Sequence, residues 1–237
     1  MQPTIVLVHG AFAESASWDG VIDRLLDANS TVIAAANPLR SLGRDADAVS
    51  DLVSSLEGPV LLVAHSYGGA VISGVRPGKA DICGLVYVAA FAPDAGESCF
   101  DLASKFPGST LGEAVEPVRR SDGTTDLFIE RDRFHAQFCA DLPARQAARM
   151  AATQRPATQE ALTEAAGSMP LWRDVPSSFL IATEDRNIPA QLQRFMAERA
   201  GAHHIAEVDG ASHAVAVSQP DTTARFIREA AALPVAV

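Results

Sequence analysis

The sequence predicts an α/β protein, with about six mostly parallel strands, helices on both faces of the sheet, and a helical lid inserted after the fourth strand. Three observations carry this. Short apolar runs recur at residues 5–8, 31–35, 60–63, 85–89, 178–182 and 204–208. Helical stripes separate most of them, and alternating strand and helix implies a parallel sheet covered on both sides. One interval, 91–176, breaks the alternation, and a compact fold rarely spends so long a stretch on a plain connection. At 237 residues the chain fits a single domain, 1–237, with 91–176 as its lid.

Each run is apolar almost throughout, as a strand buried on both faces requires. After the first, Trp18, Val21, Ile22, Leu25 and Leu26 fall at i, i+3, i+4, i+7 and i+8, one face of a helix. Val49, Leu52, Val53 and Leu56 repeat that stripe before the third run, and a helix-compatible segment follows Ser66. In the lid the clearest helical patterns lie around 134–138 and 144–152. Leu192, Phe195 and Met196 form a stripe between the last two strands. The final helix is expected near Asp221, whose side chain can cap residues 222–231.

The composition, 48% apolar and 20% charged, is that of an ordinary globular protein. A formal charge of −10 argues against nucleic acid or an anionic membrane as partner, since phosphate binding needs a positive surface. Cys83, Cys99 and Cys139 are widely spaced, with no C-x-x-C and no histidines at metal-ligand spacing, so free thiols in a reducing compartment are expected. No basic n-region precedes the first run and no stretch approaches a membrane span, which points to the cytoplasm.

The run from Val60 to Ala70 reads Val-Leu-Leu-Val-Ala-His-Ser-Tyr-Gly-Gly-Ala. A strand passes into a serine flanked by small residues, and a helix follows. That layout suits a nucleophile on a sharp strand-to-helix turn, where the helix aims its N–H groups at a developing oxyanion. Ala64 stands where the G-x-S-x-G pattern has its first glycine. The same run also suits a serine that only caps a helix at an ordinary junction. A serine hydroxyl needs a base, and the base an orienting acid. His213 leaves the last strand on a loop at its C-terminal end. Asp185 lies just past the run 178–182 at the same sheet edge, where active groups of parallel sheets gather. Glu184 and Asp94 compete with Asp185 as the acid. His203 and His204 sit at the wrong end of their strand, while His9 and His65 suit structural roles beside the loops that carry them.

With Leu7-Val8-His9-Gly10-Ala11-Phe12 after the first strand, the elbow at 64–69, an acid loop at 182–189 and a histidine loop at 212–220, the chain resembles the α/β-hydrolase superfamily. It is most similar to small bacterial esterase-like members and to the plant methyl-esterase and hydroxynitrile-lyase branch. The resemblance spans nearly the whole chain, without the two N-terminal strands of longer members. It implies Ser66 as nucleophile, His213 as general base and then acid, Asp185 as its partner, and the Ala11 and Tyr67 N–H groups as oxyanion hole, with no metal or cofactor. The lyases carry a hydroxyl residue at Gly10 and a lysine at Ala214. Both are missing here, so hydrolysis is favoured over cyanide release. Phe12, Phe91, Phe134, His135, Phe138 and Trp172 are candidates to touch substrate, with Met169 and Leu171 as further lining; most such aromatics serve packing instead. With no clustered Lys or Arg among them, the expected substrate is a small, largely apolar, uncharged ester, and the expected state a monomer or homodimer. Two alternatives stay open: a ligand-binding or regulatory protein with a slow triad, and a cofactor-free lyase.

Overall fold

A computed structural model of the chain describes residues 2–233; Met1 and residues 234–237 of the predicted domain 1–237 lie outside the described residues. In chain order the first half runs β1 (Thr4–Val8), α1 (Asp19–Asp27), β2 (Val32–Ala35), α2 (Leu42–Ser54), β3 (Pro59–Ser66), α3 (Tyr67–Ser73) and β4 (Asp81–Ala90). The insertion follows with α4 (Cys99–Ala103), α5 (Leu111–Ala114), β5 (Val115–Arg119), β6 (Thr125–Ile129), α6 (Phe134–Phe138), α7 (Ala144–Thr153), β7 (Ala157–Thr158) and α8 (Gln159–Thr163). Then come β8 (Ser177–Ala182), α9 (Ala190–Arg199), β9 (His204–Val208), α10 (Val215–Ser218) and α11 (Pro220–Ala231).

The six main strands form one sheet in the order β2-β1-β3-β4-β8-β9. Every neighbouring pair is parallel. This is the predicted architecture, with the alternation along each strand now sorted by face. Val6, Val8, Leu62, Ala64, Leu85 and Tyr87 point into one core with α2, α3, α9 and the insertion. Ile5, Leu7, Leu61, Val63, Val86 and Val88 point into the other, against Trp18, Val21, Leu25, Phe226 and Ile227. Each apolar side chain buried this fully contributes roughly 1.5–3 kcal/mol. The two edge strands depart from the expectation of burial on both faces: β2 is largely half-buried, and β9 alternates half-buried and exposed residues. A sheet edge has a neighbour on one side only, and Glu207 on β9 binds Arg194 of α9 in water.

Two expectations are corrected. The final helix begins at Pro220, whose fixed φ and missing N–H suit the first helical position. Asp221 therefore does not cap; its carboxylate pairs with Arg24 and clips α11 to α1. The interval 91–176 also holds strands. β5 and β6 form an antiparallel hairpin, Val115 opposite Ile129 and Arg119 opposite Thr125, and β7 pairs with β6. Gly123 takes the left-handed turn position, φ 88°. Helices and a small sheet thus share the insertion.

Candidate active site

β3 ends at Ser66, where the backbone turns sharply into α3 with φ 56° and ψ −127°. Residues with a side chain rarely adopt such angles, which cost about 1–3 kcal/mol and persist only under surrounding constraint. Here the register of β3 against β4 shifts between His65 and Ser66, and the Phe91 N–H donates to the Ser66 carbonyl at 3.1 Å. The turn brings α3 so close to β4 that a Cβ on Gly69 would lie 2.2 Å from the Phe91 carbonyl oxygen. Ala64 is fully buried, paired between Val8 and Tyr87, so the extra methyl fits the strand.

His213, on the loop between β9 and α10, reaches this serine. With the proton on Nδ1, His213 Nδ1–H donates to Asp185 Oδ2 at 2.7 Å, and Nε2 accepts from the Ser66 hydroxyl at 2.8 Å. All three are buried, at 6% exposure for Ser66, 6% for Asp185 and 0% for His213. Asp185 Oδ1 accepts the N–H groups of Asn187 (2.7 Å) and Ile188 (2.9 Å), which fixes the carboxylate plane. Of the rival acids, Glu184 is exposed and Asp94 pairs with Arg173; neither touches His213. His204 stacks on Phe226. His65 Nε2–H donates to the His213 carbonyl at 2.8 Å, and its ring lies 4.6 Å from that of His213. Burial, then the neighbouring His213, holds the pKa of His65 well below the ordinary imidazole value, so it stays neutral.

The loop after β1 sits under Ser66. A Cβ on Gly10 would lie 2.6 Å from Ser66 Cβ and 3.1 Å from its Oγ, so any side chain there collides with the serine. His9 Nδ1–H donates to the Gly10 carbonyl at 2.9 Å, while Nε2 accepts from the Asn37 N–H (3.2 Å) and the Arg155 guanidinium (3.3 Å). Only neutral imidazole can accept there, and burial lowers the His9 pKa to about 4. Phe12 has φ 60°, and its N–H donates to the Arg155 carbonyl at 3.0 Å. Among the described residues the Ala11 N–H meets no acceptor. Tyr67, as first residue of α3, has an N–H with no partner inside the helix. Its side chain is anchored instead: the hydroxyl donates to Asp45 Oδ2 at 2.7 Å, and burial pushes the Asp45 pKa up.

The insertion grips both loops that carry the site. The Phe138 ring of α6 packs edge-on against His213, centroids 4.9 Å apart, and Phe134 stacks behind it. The Phe138 carbonyl accepts the Ala214 N–H at 3.0 Å, and Asp141 accepts both the N–H and hydroxyl of Ser212. Gln137 Nε2 donates to Asn187 Oδ1 at 2.7 Å and to the Arg186 carbonyl at 2.9 Å. Of the other candidates for substrate contact, Phe12 borders a cavity of about 490 Å³. Phe91 is buried with its N–H on Ser66, His135 shares a hydrogen bond with the Leu142 carbonyl, and Trp172 Nε1–H donates to the Pro93 carbonyl. Leu171 is buried, whereas Met169 is 81% exposed.

Several residues at the site were not reached from sequence: Asn37, Arg155, Asp141, Gln137 and Gln193. Gln193 Nε2 donates to Asp185 Oδ2 at 3.0 Å and to the Ile188 carbonyl, and its Oε1 accepts the Ala182 N–H. A glutamine beside Leu192 on the buried face of α9 was the available signal. Among the described residues no group of three or more His, Cys, Asp or Glu side chains is placed to hold a metal ion.

A six-stranded parallel sheet with a strained serine at the end of its third strand is the layout of the α/β hydrolases, and the alpha/beta hydrolase family model matches residues 5–226. The chain belongs to that family. It is 27% identical to the alpha/beta hydrolase nvfD of Aspergillus novofumigatus over 98% of this chain and 97% of that protein. It is 26% identical to a pyrethroid hydrolase of Sphingobium wenxiniae over 97% of this chain and 88% of the relative. Its fold matches the crystal structure of polyneuridine aldehyde esterase with a TM-score of 0.81 at 19% identity, covering 97% of this chain and 99% of the other.

Proposed function

We propose that the protein is a serine carboxylesterase that cleaves largely apolar, uncharged esters through an acyl-enzyme. The observation that carries this is the buried row of Ser66 hydroxyl, His213 imidazole and Asp185 carboxylate, joined at 2.8 and 2.7 Å. His213 Nε2 takes the Ser66 proton as Oγ bonds to the ester carbonyl carbon, and Asp185 stabilises the imidazolium that forms. Negative charge collects on the carbonyl oxygen, where the Ala11 and Tyr67 N–H groups receive it; each such donor is worth about 10²–10³ in kcat. The C–O bond to the alcohol breaks as His213 returns the proton to the departing oxygen. Water then attacks the acyl-enzyme with His213 again as base, releasing the acid and restoring the serine.

The names of two similar proteins, a pyrethroid hydrolase and an esterase, support ester chemistry. Against a lyase, Gly10 cannot bear the hydroxyl side chain of that branch without meeting Ser66, and Ala214 supplies no ammonium group. In this reading residues 1–237 act as one domain with 91–176 as its lid, working as a monomer or homodimer on a small-molecule ester, not on nucleic acid or membrane. Among the described residues no helix is long and apolar enough to cross a membrane. The free Cys83, Cys99 and Cys139 support a cytoplasmic setting. The near-complete burial of Ser66 favours one second reading, a ligand-binding protein whose triad turns over slowly.

The test is hydrolysis of p-nitrophenyl acetate. Ser66→Ala is expected to lower kcat by about 10⁴-fold or more. Turnover equal to wild type would refute the assignment.

A further inference from the structure

The Tyr67 and Ala11 N–H groups are held in different ways. That of Tyr67 belongs to the first turn of α3, and the Tyr67 hydroxyl is anchored on buried Asp45. That of Ala11 lies within residues 9–14, which form neither helix nor strand. Its neighbour Phe12 takes φ 60°, a left-handed conformation that a residue with a side chain keeps only where its surroundings hold it. One residue of the insertion grips this loop twice. The Arg155 carbonyl accepts the Phe12 N–H at 3.0 Å, one residue past Ala11. The Arg155 guanidinium donates to His9 Nε2 at 3.3 Å, two residues before Ala11, and His9 Nδ1–H in turn donates to the Gly10 carbonyl at 2.9 Å. Among the described residues His9 Nε2 is the one acceptor that guanidinium meets. Arg155 is itself seated, because the residues after it are stitched to the body. The Arg40 guanidinium donates to the Pro156 carbonyl at 2.9 Å, and the Thr158 N–H to the Leu39 carbonyl at 3.0 Å.

We infer that Arg155 is a positioning residue for the oxyanion hole: its carbonyl and its guanidinium hold the loop on both sides of Ala11, so the insertion fixes where that N–H is aimed. The inference rests on the reading of Ser66 as nucleophile and of Ala11 as an oxyanion donor, and adds to it a residue that touches no reacting atom. A donor lowers the barrier only when it is aimed where charge develops, and a misplacement of about 1 Å can cost on the order of 10²-fold. A cationic donor makes the stronger hydrogen bond, so the guanidinium holds His9 more firmly than a neutral group would. Phe12 cannot keep its strained angle by itself, which makes the loop dependent on this outside grip.

Arg155→Met keeps the carbonyl and removes the cationic donor. With p-nitrophenyl acetate it is expected to lower kcat tenfold or more while KM stays within threefold. Two inhibitors separate aim from general loosening. Trifluoromethyl hexyl ketone takes up the Ser66 oxygen as a hemiketal whose oxyanion needs the hole, whereas methyl hexyl ketone stays an uncharged ketone. Affinity for the first should fall tenfold or more and affinity for the second stay within twofold. Arg155→Lys, whose ammonium still offers a donor, is expected to recover most of the loss. Arg155→Gln, polar but shorter, is expected to behave as Arg155→Met and keeps the test alive where that variant fails to fold. The inference is overturned by a kcat within twofold of wild type, by equal changes in the two ketone affinities, or by Arg155→Lys being no better than the variants without the donor. Failure of the underlying reading shows separately, as undiminished turnover in Ser66→Ala.

Discussion

At the scale of residues, the site depends on side chains that hold one protonation state. His9 and His65 are neutral in the fold because burial disfavours imidazolium. The unfolded chain binds a proton at each near pH 6.5, while folded His9 does so only near pH 4. Stability from His9 is therefore fully present above about pH 6.5 and is lost as the pH falls towards 4, a contribution of roughly 3 kcal/mol over that window. The unfolding midpoint is expected to drop steadily between pH 7 and pH 4.5, and His9→Asn to flatten that drop; an equally steep drop in the variant would contradict it. Gln193 is the other residue with a defined consequence. Gln193→Met removes a donor from Asp185 and orphans the buried Ala182 N–H, which costs about 1–3 kcal/mol. Thermal melts should show the loss of stability, and kcat should fall about tenfold with KM little changed. The meeting of Ser66, Asp185 and His213 was legible because each lies at or just past a strand end on one sheet edge. Gln193 was not, because its role depends on a helix face that only packing defines.

At the scale of elements, the insertion is tied to the body by a few polar residues. Asp126 on β6, 1% exposed, accepts from Arg40 at 2.8 Å, with Arg120 at 3.3 Å. The Arg40 guanidinium also donates to the Pro156 carbonyl, and the Arg40 N–H to Asp45, the anchor of Tyr67. Asp126→Ala removes the acceptor from two half-exposed guanidinium groups and is expected to cost about 1–3 kcal/mol in urea unfolding, less than a fully buried pair because water reaches both arginines. No change in the midpoint would show that this tie carries little load. The main strands were legible as apolar runs, but β5 and β6 were not. β5 reads Val-Glu-Pro-Val-Arg with four of its five residues exposed, and proline and charge mask strands that bury so little. The Asp122-Gly123 dipeptide between them was the turn signal that marked the hairpin.

At the scale of the molecule, parallel strands deliver three loops to one sheet edge, and the insertion holds two of them through α6 and Asp141. The overall architecture was readable because each strand-and-helix unit carries its own period. The way the insertion seats on the loops was not, because those contacts join residues far apart in sequence, such as Phe12 and Arg155. The central claim is that this convergence makes the Ser66 oxygen a nucleophile. Mass spectrometry of the intact protein after treatment with a fluorophosphonate probe tests it most directly. One adduct on the peptide containing Ser66, absent in Ser66→Ala and strongly slowed in His213→Ala, is the predicted result. Labelling on another residue, or at an undiminished rate in His213→Ala, would contradict it.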